Sequence, residues 1–234
     1  MKKKLTRIAL RVGLGLLGVT GLIGFAHTKA GRPLLNALRG APGCPVNLDG
    51  ASPAEVETYR AGRVRLEQGT GTAASHYALG FELGKTTRQQ VVAWTESQHI
   101  ACKGIRKDSV LSCSEVPTDP VDPTAPKIED LHLQFDANDH LVAIDLFRVG
   151  VASAPAIEYL KSLEKHLDAA VGPPTNHLGI ANAAPSDLSH QFQMSGAEYH
   201  YKGYVAEVSA MNFGKRAGVR VREQYQWAPA TPPA

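Results

Sequence analysis

From residue 51 onward the chain alternates between stretches whose apolar residues recur every three or four positions and stretches where they recur every two. The first period paints one stripe on a helix; the second paints one face of a strand. Ser52-Pro53-Ala54-Glu55 marks a helix start, with a serine hydroxyl to accept an early backbone N–H, a proline preset for the first turn and a glutamate three positions after the cap. That helix is predicted to run to Gln68, where Gly69-Thr-Gly-Thr ends it. Thr86-Thr-Arg-Gln89, followed by Val91, Val92 and Trp94, predicts a second helix from Thr86 to about Gln98. A third opens at Ser153-Ala-Pro155, carries Ile157, Leu160, Leu163, Leu167 and Val171 on one face, and stops at Gly172-Pro-Pro.

The period of two belongs to the segments after each of the last two helices. Cys102 to Cys113 folds as a hairpin about Lys107-Asp108, which sets Ile105 against Val110 and the two cysteines opposite each other. Prolines 117, 120, 123 and 126 break any ladder and predict a long exposed loop. Leu131, Leu133 and Phe135 alternate with His132, Gln134 and Asp136, and Ala-Asn-Asp-His then turns the chain into Leu141–Phe147. Asp136-x-Asn138 shares two positions with a calcium loop but lacks its glycine and distant glutamate, so it reads as a plain turn. Beyond a loose segment rich in Ala, Asn and Ser, residues 191–194, 197–202, 204–213 and 217–227 read as strands. In the last, Val219, Val221, Tyr225 and Trp227 oppose Arg220, Arg222, Gln224 and Gln226, as in a sheet covered on one face and wet on the other.

Runs of strands after a helix predict an α+β fold, an antiparallel sheet with helices packed on one face. Helix then strands occurs twice, over 86–147 and 154–227, the pattern a duplication would leave. The chain therefore divides into a leader at 1–26, a Gly- and Pro-rich tether at 27–50, α+β units at 51–150 and 151–227, and a Pro-rich tail at 228–234. A 43% hydrophobic and 20% charged composition suits a folded body.

The leader changes the picture of charge and place. Residues 1–32 hold Lys2, Lys3, Lys4, Arg7, Arg11, Lys29 and Arg32 and no acid; removing these seven from the net +3 leaves the remainder at −4. A mildly acidic body has no electrostatic footprint for nucleic acid. Ile8 to Ala26 follows a lysine cluster, has the length of a bilayer helix and is interrupted only by Arg11, which can snorkel toward the lysines. It predicts a single-pass inner-membrane anchor with the body in the periplasm. Gly24-Phe25-Ala26 also offers a small-x-small cleavage site, after which the protein would be secreted. His27-Thr-Lys-Ala-Gly-Arg-Pro-Leu-Leu is similar to the juxtamembrane start of anchored bacterial envelope proteins.

Export decides the cysteines. An oxidising periplasm favours a disulfide between Cys102 and Cys113. A zinc site would need two further ligands at characteristic spacing, and a redox pair would more often read Cys-x-x-Cys. Cys44 is left over, either free or bridging two chains.

Gly84-Lys-Thr-Thr-Arg-Gln-Gln-Val91, an antiparallel meander, and Phe135-Asp136 with a polar turn into another strand resemble the small outer-membrane-assembly lipoproteins of the SmpA/OmlA type. Val171-Gly172-Pro173-Pro174 and the meander beyond are similar again, and two such units in one chain resemble the tandem β-lactamase inhibitor fold. The resemblance covers roughly residues 80–227. The chain departs from the lipoproteins in lacking a lipidated cysteine and in splitting the glycine-threonine and glycine-proline motifs between its two units. What the resemblance implies is a protein-binding scaffold rather than a catalyst.

Candidate chemistry is sparse. His177, His190 and His200 fall in or near the second sheet without a ligand spacing, and no nucleophile elbow, phosphate loop or His-Glu-x-x-His motif occurs. No catalytic, cofactor or metal residue is assigned. Tyr199, Tyr201, Tyr204, Tyr225 and Trp227 make the aromatic end of the second sheet a candidate partner-binding surface, against the plainer reading of core packing under the third helix. The expectation is a non-enzymatic bacterial envelope protein whose periplasmic body binds another envelope protein or a wall component. The alternatives are an exported enzyme whose groups converge only in space, or a secreted inhibitor-like binder.

Overall fold

A computed structural model describes residues 51–116, 125–179 and 188–229. The leader, the tether with Cys44, part of the proline loop and residues 230–234 lie outside them. Among the described residues no helix is long and apolar enough to cross a membrane.

Helix α1 (Pro53–Glu67) starts where its cap pattern predicts. The Ser52 hydroxyl accepts the Glu55 backbone N–H, and the Glu55 carboxylate accepts the Ser52 N–H at 2.7 Å, holding the Glu55 carboxyl below the usual range. A small hairpin follows, β1 (Tyr77–Ala78) and β2 (Phe81–Glu82), too short to leave a period in the sequence. Gly84 then takes φ +80, and a β-carbon there would lie 2.8 Å from the Trp227 indole, so the position needs both the left-handed backbone and the missing side chain. Helix α2 (Arg88–Ser97) is capped by Thr87 with Gln90, one residue later than predicted. Thr86 is already used: its hydroxyl accepts the Glu82 N–H and its carbonyl accepts the Leu141 N–H.

Strands β3 (Cys102–Ile105), β4 (Val110–Val116), β5 (Ile128–Phe135) and β6 (Leu141–Val151) form an antiparallel meander. Helix α3 (Ser153–Ala170) leads into a second meander of β7 (Asn176–Leu178), β8 (Met194–Tyr201), β9 (Tyr204–Asn212) and β10 (Val219–Trp227). The last strands of the two meanders pair, giving one antiparallel sheet in the order β3-β4-β5-β6-β10-β9-β8-β7. The fold is α+β, and helix-plus-four-strands is repeated across the β6–β10 seam. Of the strands predicted at 191–194 and 197–202, residues 191–193 lie in the turn before β8, and one strand runs unbroken over Met194–Tyr201. Gly196 carries the ladder through, since a β-carbon there would meet the Val208 carbonyl oxygen at 2.2 Å.

Cys102 and Cys113 are disulfide-bonded across β3 and β4, directly opposed with Cα atoms 4.1 Å apart, the close spacing of a non-hydrogen-bonded pair. Ile105 faces Val110, as the predicted register requires.

One face of the sheet is apolar from β4 across to β8. Leu131, Leu133, Ile144, Leu146, Val208 and Val221 bury into one cluster that also holds Val91 of α2 and Leu160 and Leu167 of α3. Both sequence halves share this core. The expectation of all helices on one face is corrected for α1, which lies against the other face at one end of the strands. Its stripe is narrow: Ala61 and Val64 pack on Val205 and Ala228 in a separate small cluster, and Arg60 donates to the Val142 carbonyl at 3.3 Å. Val205 is a buried apolar position on this face, and α1 settles there.

Candidate functional site

Four of the five aromatic residues proposed as a contact surface are internal. Tyr199, Tyr204 and Tyr225 are 0% exposed and Tyr201 is 9% exposed. Each hydroxyl is tied: Tyr199 to Asp168 at 3.1 Å, Tyr201 to the Pro173 carbonyl at 2.6 Å, Tyr204 to the Tyr77 carbonyl at 2.6 Å, and Tyr225 to Glu223 at 2.7 Å. Burial raises the pKa of all four, with the Asp168 carboxylate adding to it at Tyr199 and the Glu223 carboxylate at Tyr225. Half-buried Trp227 packs on Gly84 and lies near His76, whose pKa is lowered chiefly by burial. These residues present little to a partner. The alternation that put them on one face of the sheet was the face that α3 covers.

Tyr225 belongs to a buried polar cluster at the β6–β10 seam. Arg148 is 0% and Glu223 1% exposed, and they pair at 3.1 Å. The Tyr159 hydroxyl donates to Glu223 at 2.6 Å, Arg148 donates to that hydroxyl at 2.6 Å, and Arg148 also donates to the Pro126 carbonyl. Above Tyr159, between the end of β6 and the start of α3, lies a cleft of about 690 Å³ bordered by Pro126, Lys127, Glu129, Val149 and Pro155. Its volume would suit a small ligand. Both Glu223 oxygens and all three guanidinium nitrogens are engaged, so the cluster ties β6, β10 and α3 together.

The opposite face of the sheet carries a different array. Phe147 of β6 stands beside Arg222 of β10 and Asp130 of β5. The Arg222 guanidinium lies 5.5 Å from the Phe147 ring centroid and donates two bonds of 3.1 Å to Asp145, which hold its pKa raised. Arg220 lies over the same ring at 5.9 Å and over Phe213 at 5.2 Å. Toward α1 the surface dips into a cleft of about 260 Å³, walled by Arg60 and by Ile105 and Arg106 of the disulfide-bonded hairpin, with Gln134, Gln224 and Gln226 on its floor. That volume is below the usual range for a small-molecule site and fits one or two protruding side chains. Arginine and an aromatic ring, partly exposed on an open sheet face, are among the side chains enriched at protein interfaces.

No family model, curated protein or solved structure matches this chain. The likeness to the SmpA/OmlA-type lipoproteins and to the tandem inhibitor fold accordingly rests on the motifs that carry it.

The three histidines stay apart. His177 lies in β7, His190 in the turn before β8, and His200 in β8 beside Glu198 at 3.7 Å and the Glu67 carbonyl. Among the described residues no three His, Cys, Asp or Glu side chains gather as a metal site. The Asp136 carboxylate accepts the backbone N–H groups of Asn138 and His140 and so closes the β5–β6 turn. Sequence reading did not single out Phe147, Arg220 or Arg222, although the wet face of β10 already held the two arginines.

Proposed function

We propose that the chain is a non-enzymatic, membrane-anchored bacterial envelope protein that binds another envelope protein or a wall component through the open face of its sheet. The observation that carries this reading is the half-exposed Phe147–Arg222–Asp145 array adjoining the 260 Å³ cleft, on the face opposite the main core. Central aromatic and arginine anchors beside a small pocket are where binding energy concentrates in interfaces. The lysine-led apolar run from Ile8 to Ala26 supports the anchor, and the Cys102–Cys113 bond supports an oxidising compartment.

Capture from envelope extract by the full-length protein, in parent form and as the F147D/R222E variant, tests the reading. Loss of two anchors of about 2 kcal/mol each, about 4 kcal/mol together, predicts a drop of roughly several hundredfold in affinity for a specifically retained partner. Equal retention by a folded variant would place binding elsewhere.

A further inference from the structure

The end of the sheet farthest from α1 carries an exposed apolar and basic tip. There β6 ends, β8 begins and β9 turns into β10. Of the five exposed large apolar side chains among the described residues, three are here: Val149 at 43%, Phe192 at 68% and Phe213 at 37% exposure. The segments bearing them are knitted together. The Phe192 N–H donates to the Asn212 carbonyl at 2.7 Å, the Phe213 N–H to the Gly218 carbonyl at 2.9 Å, and Gly218 packs against Gly150.

Around Phe192 and Phe213 the described charge is of one sign, while on the Val149 side of the tip the acids Glu129 and Glu158 border the neighbouring cleft. Lys215, Arg216 and Arg220 are exposed, and the described residues 147–152, 188–193 and 213–220 contain no acid. Along the sheet the nearest acids are Glu129 and Asp130 of β5, the latter opposite Phe147, and Asp145, which already engages Arg222. Among the described residues Arg220 pairs with no carboxylate; it lies over Phe213 and Phe147. A body that is acidic overall thus concentrates cations around projecting phenylalanines at one end. Aromatic rings favour the headgroup level of a bilayer, and lysine and arginine favour an anionic membrane surface.

The geometry points to this tip as a membrane-surface contact that takes anionic lipid headgroups, Lys215, Arg216 and Arg220 meeting the phosphates while Phe192 and Phe213 enter the interface. The inference is separate from the binding proposed for the open sheet face. A protein partner would offer acids to the same cations, but Phe192, the most exposed phenylalanine of the tip at 68%, favours a fluid surface over a fitted pocket.

The test uses the full chain with Phe192→Trp, and independently Phe213→Trp, in vesicles of phosphatidylcholine with or without phosphatidylglycerol, each with brominated acyl chains. Fluorescence of the parent, with its own two tryptophans, is the baseline, so the shared leader cancels. Expected is quenching beyond that baseline with phosphatidylglycerol and none without it, abolished by K215E/R216E/R220E. Three contacts of this kind weaken engagement roughly a hundredfold when removed. An unchanged urea midpoint checks that the variants fold. No added quenching at either position, or equal quenching without phosphatidylglycerol, overturns the inference. So does a photo-reactive residue at position 192 that crosslinks protein and no lipid in envelope membranes.

Discussion

Arg148 and Glu223 are 75 residues apart in sequence and fully buried against each other, with Tyr159 and Tyr225 completing their hydrogen bonds. Removing one member leaves the other charged and dry, which costs about 3–5 kcal/mol, whereas an apolar replacement of both is often tolerated. Glu223→Gln should therefore lower stability by that amount in urea unfolding, and R148M/E223L should recover most of it. Equal losses in the single and double variants would show that the pair does not hold the seam. The inward set Val219, Val221, Tyr225 and Trp227 skips one position, and that gap is Glu223. Parity alone thus put an acid inside, but nothing local could name Arg148 as its partner. The same parity put the tyrosines on a common face and could not tell which face α3 would cover.

At the scale of elements, local signals carried most of the fold. Two capping boxes start α1 and α2, and the one-residue shift at Thr87 arises from Thr86 being held by Glu82 and Leu141. The cysteine hairpin has the register its polar centre predicts. Elements of two or three residues, β1, β2 and β7, escaped because no period fits in so few positions. The disulfide closes a short loop and fixes the hairpin that walls the smaller cleft. In the chain-entropy account it contributes about 3 kcal/mol. Cys102→Ser with Cys113→Ser should lower the urea midpoint by that equivalent, and adding reductant to the parent should reproduce the loss. A parent indifferent to reductant would remove the bond from any structural role.

Across the whole molecule, two meanders meet through β6 and β10 to make one sheet with unlike faces. The helix-then-strands repeat was readable; the seam was not, because pairing of strands from separate units leaves no trace in either unit's period. One face is closed by α2 and α3 over a continuous apolar core, and the other offers Phe147, Arg222 and the glutamine-floored cleft. The account's central claim is that this second face does the binding. Its most direct test is a photo-reactive residue placed at Gln224 on that face, or at Lys161 on α3, in the full-length protein in envelope membranes. A discrete protein or wall-component adduct from position 224 and none from position 161 is the predicted result; adducts from 161 alone, or equally from both, would contradict it.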